Sequence, residues 1–249
     1  MDTLAASLEG GEPQPSCGET DATAWYLFAP TASGRAQVDT FGTSLDTILA
    51  VYSGTPGQLH PVGCRDNAEG TRQSKVVFDF ASGTNYYIQA GGKVYRYGTI
   101  VVNLQEVSVP PNDNFADAAA ITPRPFRFDG DTAGATMENE EGEPHLAAGC
   151  NLLVLDQTAG YENLDNSVWF RYTTPSRGVA TASGTATRFT PRIAVYAGDN
   201  MESLTSPMGL RCSDSSKEFI VGPDQTYYIQ LAGVDAAAGP YRFTFNVTP

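Results

Sequence analysis

The sequence predicts an all-β protein made of two tandem β-sandwich, jelly-roll-like domains. Three observations support this fold class: short segments in which apolar and polar residues alternate, frequent turn residues between those segments, and an internal duplication. Glycine and proline account for 25 and 16 of the 249 residues. Short strands separated by such turns at regular spacing are typical of sandwiches and jelly rolls.

The duplication consists of two similar segments that lie about 140 residues apart. Residues 86–89, Tyr-Tyr-Ile-Gln, recur as residues 227–230, and residues 50–54, Ala-Val-Tyr-Ser-Gly, match residues 194–198, Ala-Val-Tyr-Ala-Gly. Further landmarks pair Glu12 with Glu143, Cys17 with Cys150, Trp25 with Trp169, Cys64 with Cys212 and Asp66 with Asp214. A repeated order of landmarks predicts that one fold occurs twice.

The boundary between the repeats is predicted in residues 109–113, Val-Pro-Pro-Asn-Asp, which have the prolines and turn residues of a linker. The first domain is therefore predicted to cover residues 1–108 and the second residues 109–249. Both domains show the period-two alternation of strands. The alternation is clearest in residues 76–80, 97–104 and 241–247.

The second repeat begins with a segment that the first repeat lacks. Residues 112–130 precede the point at which Asp131 aligns with Asp2. In this segment residues 114–120 have a short helical pattern, and residues 126–129, Phe-Arg-Phe-Asp, alternate like a strand. The first domain is therefore predicted to lack its N-terminal edge strand and to present an unpaired sheet edge.

Charge and motif content exclude several classes of function. Lys and Arg total 15 and Asp and Glu total 28, which gives a formal net charge of −13. A chain this acidic lacks the cationic surplus that binding to a nucleic-acid backbone requires. No apolar run approaches the roughly 20 residues of a membrane-spanning helix. Neither His60 nor His145 accompanies a nucleophile motif such as Gly-x-Ser-x-Gly, so the chain is not expected to be an enzyme.

The four cysteines occupy equivalent positions, two in each repeat. Three pairings are possible, and only Cys17 with Cys64 and Cys150 with Cys212 keeps each bond within one repeat. Four reduced thiols are the alternative, while zinc is disfavoured because the chain has no Cys-x-x-Cys pair. Paired cysteines predict an oxidising compartment, and hence an extracellular or cell-surface location.

Six motifs of the chain form a recognisable set. They are residues 112–118 (Asn-Asp-Asn-Phe-Ala-Asp-Ala), 130–136 (Gly-Asp-Thr-Ala-Gly-Ala-Thr), 142–144 (Gly-Glu-Pro), 167–175 (Ser-Val-Trp-Phe-Arg-Tyr-Thr-Thr-Pro), 45–54 (Leu-Asp-Thr-Ile-Leu-Ala-Val-Tyr-Ser-Gly) and 226–230 (Thr-Tyr-Tyr-Ile-Gln). Together they resemble a repeat of secreted bacterial proteins that is similar to the bacterial pre-peptidase C-terminal domain and, more distantly, to CUB-like jelly-roll domains. This resemblance covers nearly the whole chain, and it implies tandem, non-catalytic domains found outside the cell beside peptidases or in surface proteins.

Acidic loops of the first repeat predict a calcium site. A disulfide holds its two Cα atoms within about 7 Å, so it would bring the loop of Glu12 close to that of Asp66 and Asn67. By the resemblance to CUB-like sandwiches, Asp46 lies at the same end. Converging carboxylates without Lys or Arg repel one another unless a cation balances them, and Ca²⁺ takes about six to eight oxygen ligands. The predicted ligands are Glu12, Asp46, Asp66 and the Asn67 carbonyl; three solvated loop acids are the alternative.

The second repeat differs at this site. Thr190 stands at the position of Asp46, and an arginine, Arg192, follows two residues later. Calcium is therefore predicted for the first repeat only. Arg192 is expected to pair with Glu143 or Asp214.

Aromatic residues suggest two kinds of role. Trp25 and Trp169 occupy matching strand positions and are predicted to lie in the domain cores, because large aromatic side chains dominate such cores. Tyr95 and Tyr97 follow a Gly-Gly pair and could instead form an exposed patch for a ligand.

These features predict a non-catalytic extracellular module that serves surface structure, adhesion or filament-like assembly. The unpaired edge of the first domain predicts self-association in which a neighbouring subunit donates a strand, unless the chain is cut from a longer protein. The alternative is an accessory region that binds substrate or glycan for a secreted peptidase or hydrolase. An extracellular protein or glycan partner is compatible with both hypotheses.

Overall fold

The computed structural model describes residues 2–122, 125–136, 164–174, 176–199, 204, 213–234 and 236–249. These residues form strands and one short 3-10 helix, which confirms the all-β prediction. The chain divides into two compact units, Met1–Ser108 and Val109–Pro249, which are described separately below. The described part of the chain contains no helix with the length and apolarity that a bilayer crossing requires.

Unit 1 contains seven strands in two antiparallel sheets. The strands are β1 (Thr20–Phe28), β2 (Gly34–Asp39), β3 (Thr47–Thr55), β4 (Gln58–Arg65), β5 (Lys75–Phe80), β6 (Tyr86–Lys93) and β7 (Asn103–Glu106). One sheet has the order β1-β6-β3-β4 and the other the order β5-β2-β7. Among residues 2–108, β7 pairs only with β2, so its other side is a free edge.

The core of unit 1 lies between its two sheets, because alternate residues of a strand point to the same face. Leu49 and Val51 of β3 and Ile88 of β6 pack with Val38 of β2 and Phe78 of β5, and all five are almost fully buried. Burial of each such side chain contributes about 1.5–3 kcal/mol. The intervening residues of β3 and β6 therefore lie on the outer face of the four-stranded sheet.

Unit 2 has the same two-sheet arrangement. Its described strands are β8 (Ala119–Ala120), β9 (Phe126–Asp131), β10 (Leu164–Thr174), β11 (Gly178–Ala186), β12 (Arg192–Ala197), β13 (Ser213–Asp214), β14 (Ser216–Val221), β15 (Gln225–Val234) and β16 (Pro240–Thr248). The sheet orders are β13-β12-β15-β10-β8 and β14-β11-β16-β9. The 3-10 helix, Phe115–Asp117, precedes β8 and lies in the segment with the helical sequence pattern.

Strands correspond between the units by sheet order. β1, β6, β3 and β4 hold the places of β10, β15, β12 and β13, and β5, β2 and β7 hold those of β14, β11 and β16. The hydrogen bonds agree: the Thr3 amide donates to the Gly98 carbonyl (2.9 Å), and the Thr132 amide donates to the Gly239 carbonyl (3.1 Å). β8 and β9 have no counterpart in residues 2–108. They extend the two sheets of unit 2, beside β10 and β16 respectively.

Candidate functional site

A disulfide joins the loop before β1 to strand β4. Cys17 and Cys64 are bonded, with their Cα atoms 5.6 Å apart, and the Cys17 amide donates to the Cys64 sulfur (3.2 Å). The pairing is the one predicted for the first repeat. Cys150 and Cys212, the predicted pair of the second repeat, lie outside the described residues.

The carboxylates predicted to hold calcium have different hydrogen-bond partners. Glu12 accepts hydrogen bonds from the Thr23 hydroxyl (2.7 Å) and the Glu9 amide (3.2 Å). Asp66 instead accepts a hydrogen bond from the Lys93 ammonium (2.6 Å). Asn67 is exposed. No three His, Cys, Asp or Glu side chains within the described ranges form a group that could hold a metal ion, so calcium binding stays a prediction.

Asp46 and Asp66 each retain one buried carboxylate oxygen that has no hydrogen-bond partner. Such oxygens could bind a cation, and the Lys93 ammonium is a cation that already contacts Asp66. The hydrogen bond to Asp66 is the main cause that raises the pKa of Lys93; partial burial opposes the rise, and the charges of Asp66 and Asp46 reinforce it. The ammonium group therefore offsets part of the negative charge of the two carboxylates, chiefly that of Asp66.

Lys93 was not predicted from the sequence, and only the pairing of β3 with β6 places it beside the acidic residues. Lys93 ends β6, and the preceding Gly92 lies opposite Thr47, the first residue of β3. That register places the Lys93 amide within hydrogen-bond distance (2.9 Å) of the Asp46 carbonyl. Only a correct pairing of β3 with β6 would have shown the lysine beside the acidic residues.

Unit 2 balances the equivalent aspartate with a different cation. Arg192 forms an ion pair with Asp214, and the two residues are cross-strand partners in β12 and β13. Asp214 is one of the two partners that the sequence allowed for Arg192. The other, Glu143, lies outside the described residues. Val234 stands at the end of β15, where unit 1 has Lys93.

The two tryptophans lie on the outer faces of the sheets, not between them. Trp169 is completely buried, but in a cluster with Tyr196 and Tyr228 that is separate from the inter-sheet core. Trp25 is only half-buried, beside Tyr52 at a ring distance of 5.7 Å. The prediction that both tryptophans belong to the domain cores is therefore wrong for Trp25, because alternation assigns a face without showing what covers it.

Buried polar groups accompany these aromatics in unit 1. The Tyr52 hydroxyl donates to the Gln89 side-chain oxygen (3.0 Å), and the Gln89 side-chain nitrogen donates to the Pro13 carbonyl (3.2 Å). The segment before Cys17 thus covers part of the outer face. Burial, reinforced by the charge of Glu12, raises the pKa of Tyr52.

Tyr95 and Tyr97 are 80% and 40% exposed. The Tyr97 hydroxyl donates to Asp21, and this hydrogen bond is the main cause that raises the pKa of Tyr97. The patch predicted from the sequence is accessible for contact with a ligand.

The free edge of unit 1 has an apolar residue at a core-facing position. Leu104 of β7 lies opposite Val38, which is fully buried in the core. Phe245 of β16 holds the same position, opposite the buried Ala182. Leu104 is 41% exposed and Phe245 only 1% exposed. The difference follows from β9, which pairs with β16 and has no counterpart beside β7.

Three surface cavities, of 310, 510 and 650 Å³, lie among the described residues of unit 2. Their linings contain no histidine or cysteine, the side chains on which nucleophile activation most often depends. His60 is exposed on β4, and His145 lies outside the described residues.

No family model and no curated protein matches the chain. Structural likenesses are weak. An uncharacterised protein from Burkholderia cenocepacia has 10% identity over 91% of this chain and 76% of its own, with a TM-score of 0.29. A turret protein of Sulfolobus turreted icosahedral virus has 7% identity over 90% and 97%, with a TM-score of 0.21. A β-galacturonidase from Eisenbergiella tayi has 13% identity over 89% and 34%, with a TM-score of 0.24. Scores this low carry no argument about function.

Proposed function

We propose that this chain is a non-catalytic extracellular module of a surface, adhesive or filament-like assembly, in which unit 1 accepts a strand from a neighbouring subunit. The free edge of β7 carries this proposal. An unpaired strand presents a row of amides and carbonyls that another chain can pair with. Strand addition of this kind gives affinity through the main chain and specificity through alternate side chains.

Unit 2 supports the proposal because it contains the completed form of the same edge. There β9 pairs with β16 over six residue pairs, from Phe126 opposite Phe245 to Asp131 opposite Pro240. Phe128 packs against Phe170 at a ring distance of 5.4 Å. A strand added to β7 would cover Leu104 in the same way.

The extracellular part of the proposal rests on the Cys17–Cys64 bond and on the resemblance to secreted bacterial repeats. Disulfides form and persist mainly in oxidising compartments. The pre-peptidase C-terminal and CUB-like domains that the motifs resemble are non-catalytic. The resemblance favours a structural or adhesive role over an enzymatic one.

The test is to fuse a copy of residues 112–130 ahead of Asp2. If unit 1 accepts a strand, the fusion protein should be monomeric and unit 1 should melt at a higher temperature, by about 4–8 °C for each kcal/mol gained where it unfolds separately and about 2–4 °C where the whole chain unfolds together. Sedimentation and thermal unfolding measure both effects. The matched control is the same fusion with Phe126→Asp and Phe128→Asp in the added copy. If the fused strand changes neither association nor stability, strand addition at β7 is wrong.

A second candidate function is an accessory binding region of a secreted peptidase or hydrolase. The exposed Tyr95 and Tyr97 favour it, because aromatic rings with a polar end are enriched at binding surfaces. Binding to extracellular glycans or fibrous proteins that is lost in Tyr95→Ala, with unchanged thermal stability, would support this function. Binding that survives the substitution would count against it.

A further inference from the structure

We propose that unit 1 binds a two-part clasp, a segment of the chemistry of residues 112–131, and not a single strand. We call these residues the clasp. In unit 2 the clasp contributes one short strand to each sheet and one aromatic side chain to the outer face. This inference rests on the proposed strand addition and names the partner that would make it.

The front half of the clasp, residues 112–122, covers the outer face and edge of β10. The ring of Phe115 lies 5.3 Å from Trp169 and 4.1 Å from Tyr228. The Trp169 amide donates to the Asn112 carbonyl (2.8 Å), and the Asn112 side chain donates to the Trp169 carbonyl (2.9 Å). β8 then continues as a parallel partner of β10.

The rear half, residues 125–131, covers the edge of the other sheet through β9. Phe126 and Phe128 both pack against Phe170, at ring distances of 6.4 and 5.4 Å. Phe170 itself stacks on Phe243 of β16 at 3.9 Å. One continuous segment thus contacts both sheets and closes one side of the sandwich of unit 2.

Four positions of unit 1 lack this cover. Each is more exposed than its counterpart, and each counterpart contacts or pairs with the clasp. Trp25, Tyr26 and Tyr87 are half-buried and Leu104 is 41% exposed. Their counterparts Trp169, Phe170, Tyr228 and Phe245 are 0%, 0%, 6% and 1% exposed. The exposed surfaces of unit 1 therefore correspond to the surfaces that the clasp covers in unit 2.

The backbone shows the same difference. Trp25 lies opposite Gln89, and Trp169 lies opposite Gln230, so the two tryptophans hold the same register position. In unit 2 the backbone groups of Trp169 that point away from β15 bond to Asn112. In residues 2–108, β1 is the outermost strand of its sheet, so the matching groups of Trp25 face no strand. A front half of the clasp would pair with them.

One local charge pair also fits an occupant of this sequence. Glu106 of β7 lies opposite the buried Ala36, at a core-facing position, and charged residues at such positions deter indiscriminate edge pairing. A strand in the register of β9 would set Phe126 opposite Leu104. Arg124 precedes Phe126 by two residues in the sequence, and Glu106 follows Leu104 by two. In antiparallel pairing Arg124 would therefore lie opposite Glu106. The clasp sequence thus provides a cation where the free edge has a carboxylate.

The test uses the whole protein and three synthetic peptides: the clasp, its front half (residues 112–122), and its rear half extended to residues 123–131 so that Arg124 is retained. Binding is measured by fluorescence anisotropy of the labelled peptides. The whole clasp should bind at least tenfold more tightly than either half, because the second half binds at a high effective concentration once the first is attached. Tyr87→Ala should weaken the front half, and Leu104→Lys should weaken the rear half.

A matched control distinguishes binding to unit 1 from unspecific binding to another exposed sheet edge. Ile220 lies on β14, an edge strand of unit 2 that the clasp does not contact, and is 63% exposed. Ile220→Lys should leave peptide binding unchanged. If Tyr87→Ala and Leu104→Lys both leave the affinity of the whole-clasp peptide unchanged, the proposal is wrong.

The peptides also separate this inference from the proposed function. If the rear half binds as tightly as the whole clasp, strand addition at β7 stands and the two-part clasp is wrong. If no peptide binds and the fused strand has no effect, both are wrong. A charge exchange adds a further check: Glu106→Arg should weaken the whole clasp, and a peptide with Arg124→Glu should recover part of the loss.

Discussion

Lys93 donates a hydrogen bond of 2.6 Å to Asp66, across 27 residues of sequence, and brings a positive charge to the acidic end of unit 1. This ion pair lies where the sequence predicted calcium. Asp46 and Asp66 both keep a buried carboxylate oxygen without a hydrogen-bond partner. The lysine and a metal ion would therefore compete for the same two carboxylates.

Replacement of Lys93 should increase the stabilisation of unit 1 by added Ca²⁺. We expect Lys93→Gln to lower the melting temperature in the absence of calcium, because Asp46 and Asp66 then repel each other. Added Ca²⁺ should raise the melting temperature of this variant by more than that of the wild type, since an ion that binds only the native state stabilises it. Thermal unfolding with calcium or with a chelator measures both effects.

Two controls accompany the lysine variant. Arg127→Gln removes an exposed cation of unit 2 that pairs with Asp129, and it should not change the calcium response. Asp46→Ala should abolish the response. Equal calcium responses of the wild type and Lys93→Gln would contradict the competition. A chelator effect on the wild type that disappears in Asp46→Ala would establish the predicted calcium site.

The disulfide should stabilise unit 1 through its unfolded chain. A bond across 47 residues contributes about 4 kcal/mol in the chain-entropy model. We expect the double substitution Cys17→Ser and Cys64→Ser to lower the free energy of unfolding by up to that amount, as measured in urea. Peptide mapping of the native protein should recover Cys17 joined to Cys64, and it also tests the predicted bond between Cys150 and Cys212. Four titratable thiols would contradict both pairings and the extracellular location.

Two equivalent glycines are required where the chain turns back on itself. A Cβ at Gly92 would collide with the Arg96 carbonyl, and a Cβ at Gly233 would collide with the Ala237 carbonyl. We expect Gly92→Ala and Gly233→Ala each to lower the free energy of unfolding by about 1–3 kcal/mol or more, as overpacking does. Gly10→Ala is the matched control, because no atom lies within 4 Å of its added Cβ. Similar costs at all three positions would contradict the turn geometry.

Stability should fall at alkaline pH through Lys93 and Tyr52. The hydrogen bond to Asp66 raises the pKa of Lys93, and burial raises the pKa of Tyr52. A raised folded-state pKa contributes stability that is complete below the unfolded-state pKa, about 10 for both residue types, and is lost as the pH rises through the folded-state value. Urea unfolding at a series of pH values should show a constant difference between wild type and Lys93→Gln up to about pH 9. The difference should shrink above pH 10; a difference that grows there would contradict the ion pair.

Local sequence patterns were sufficient for the architecture and insufficient for the site. Alternation in residues 76–80 and 126–129 predicted strands correctly, because successive side chains of a strand point to opposite faces. In residues 97–104 the prediction was largely wrong, since only the last two residues belong to a strand, β7. The prediction that Trp25 lies in a core was wrong, because its match with Trp169 and its aromatic ring do not reveal which face of the sheet is covered. The sequence showed that Asp66 and Asp214 are equivalent, but it predicted the basic partner of Asp214 alone. Arg192 could be predicted because it follows the position equivalent to Asp46 by two residues. Lys93 could not, because it lies on a different strand, 27 residues after Asp66.

The sequence by itself determined that the chain is all-β, that it contains a duplication, and that Cys17 has its partner within the same repeat. These conclusions depend on short-range periodicity and on the order of landmarks, both of which survive without coordinates. The tertiary structure decided that Lys93 balances Asp66, that Trp25 lies on a partly open outer face, and that Phe115 and β9 together cover the matching surfaces of unit 2. Those contacts depend on how distant strands register with one another, and register is set by the packing of the whole sandwich, not by any one segment.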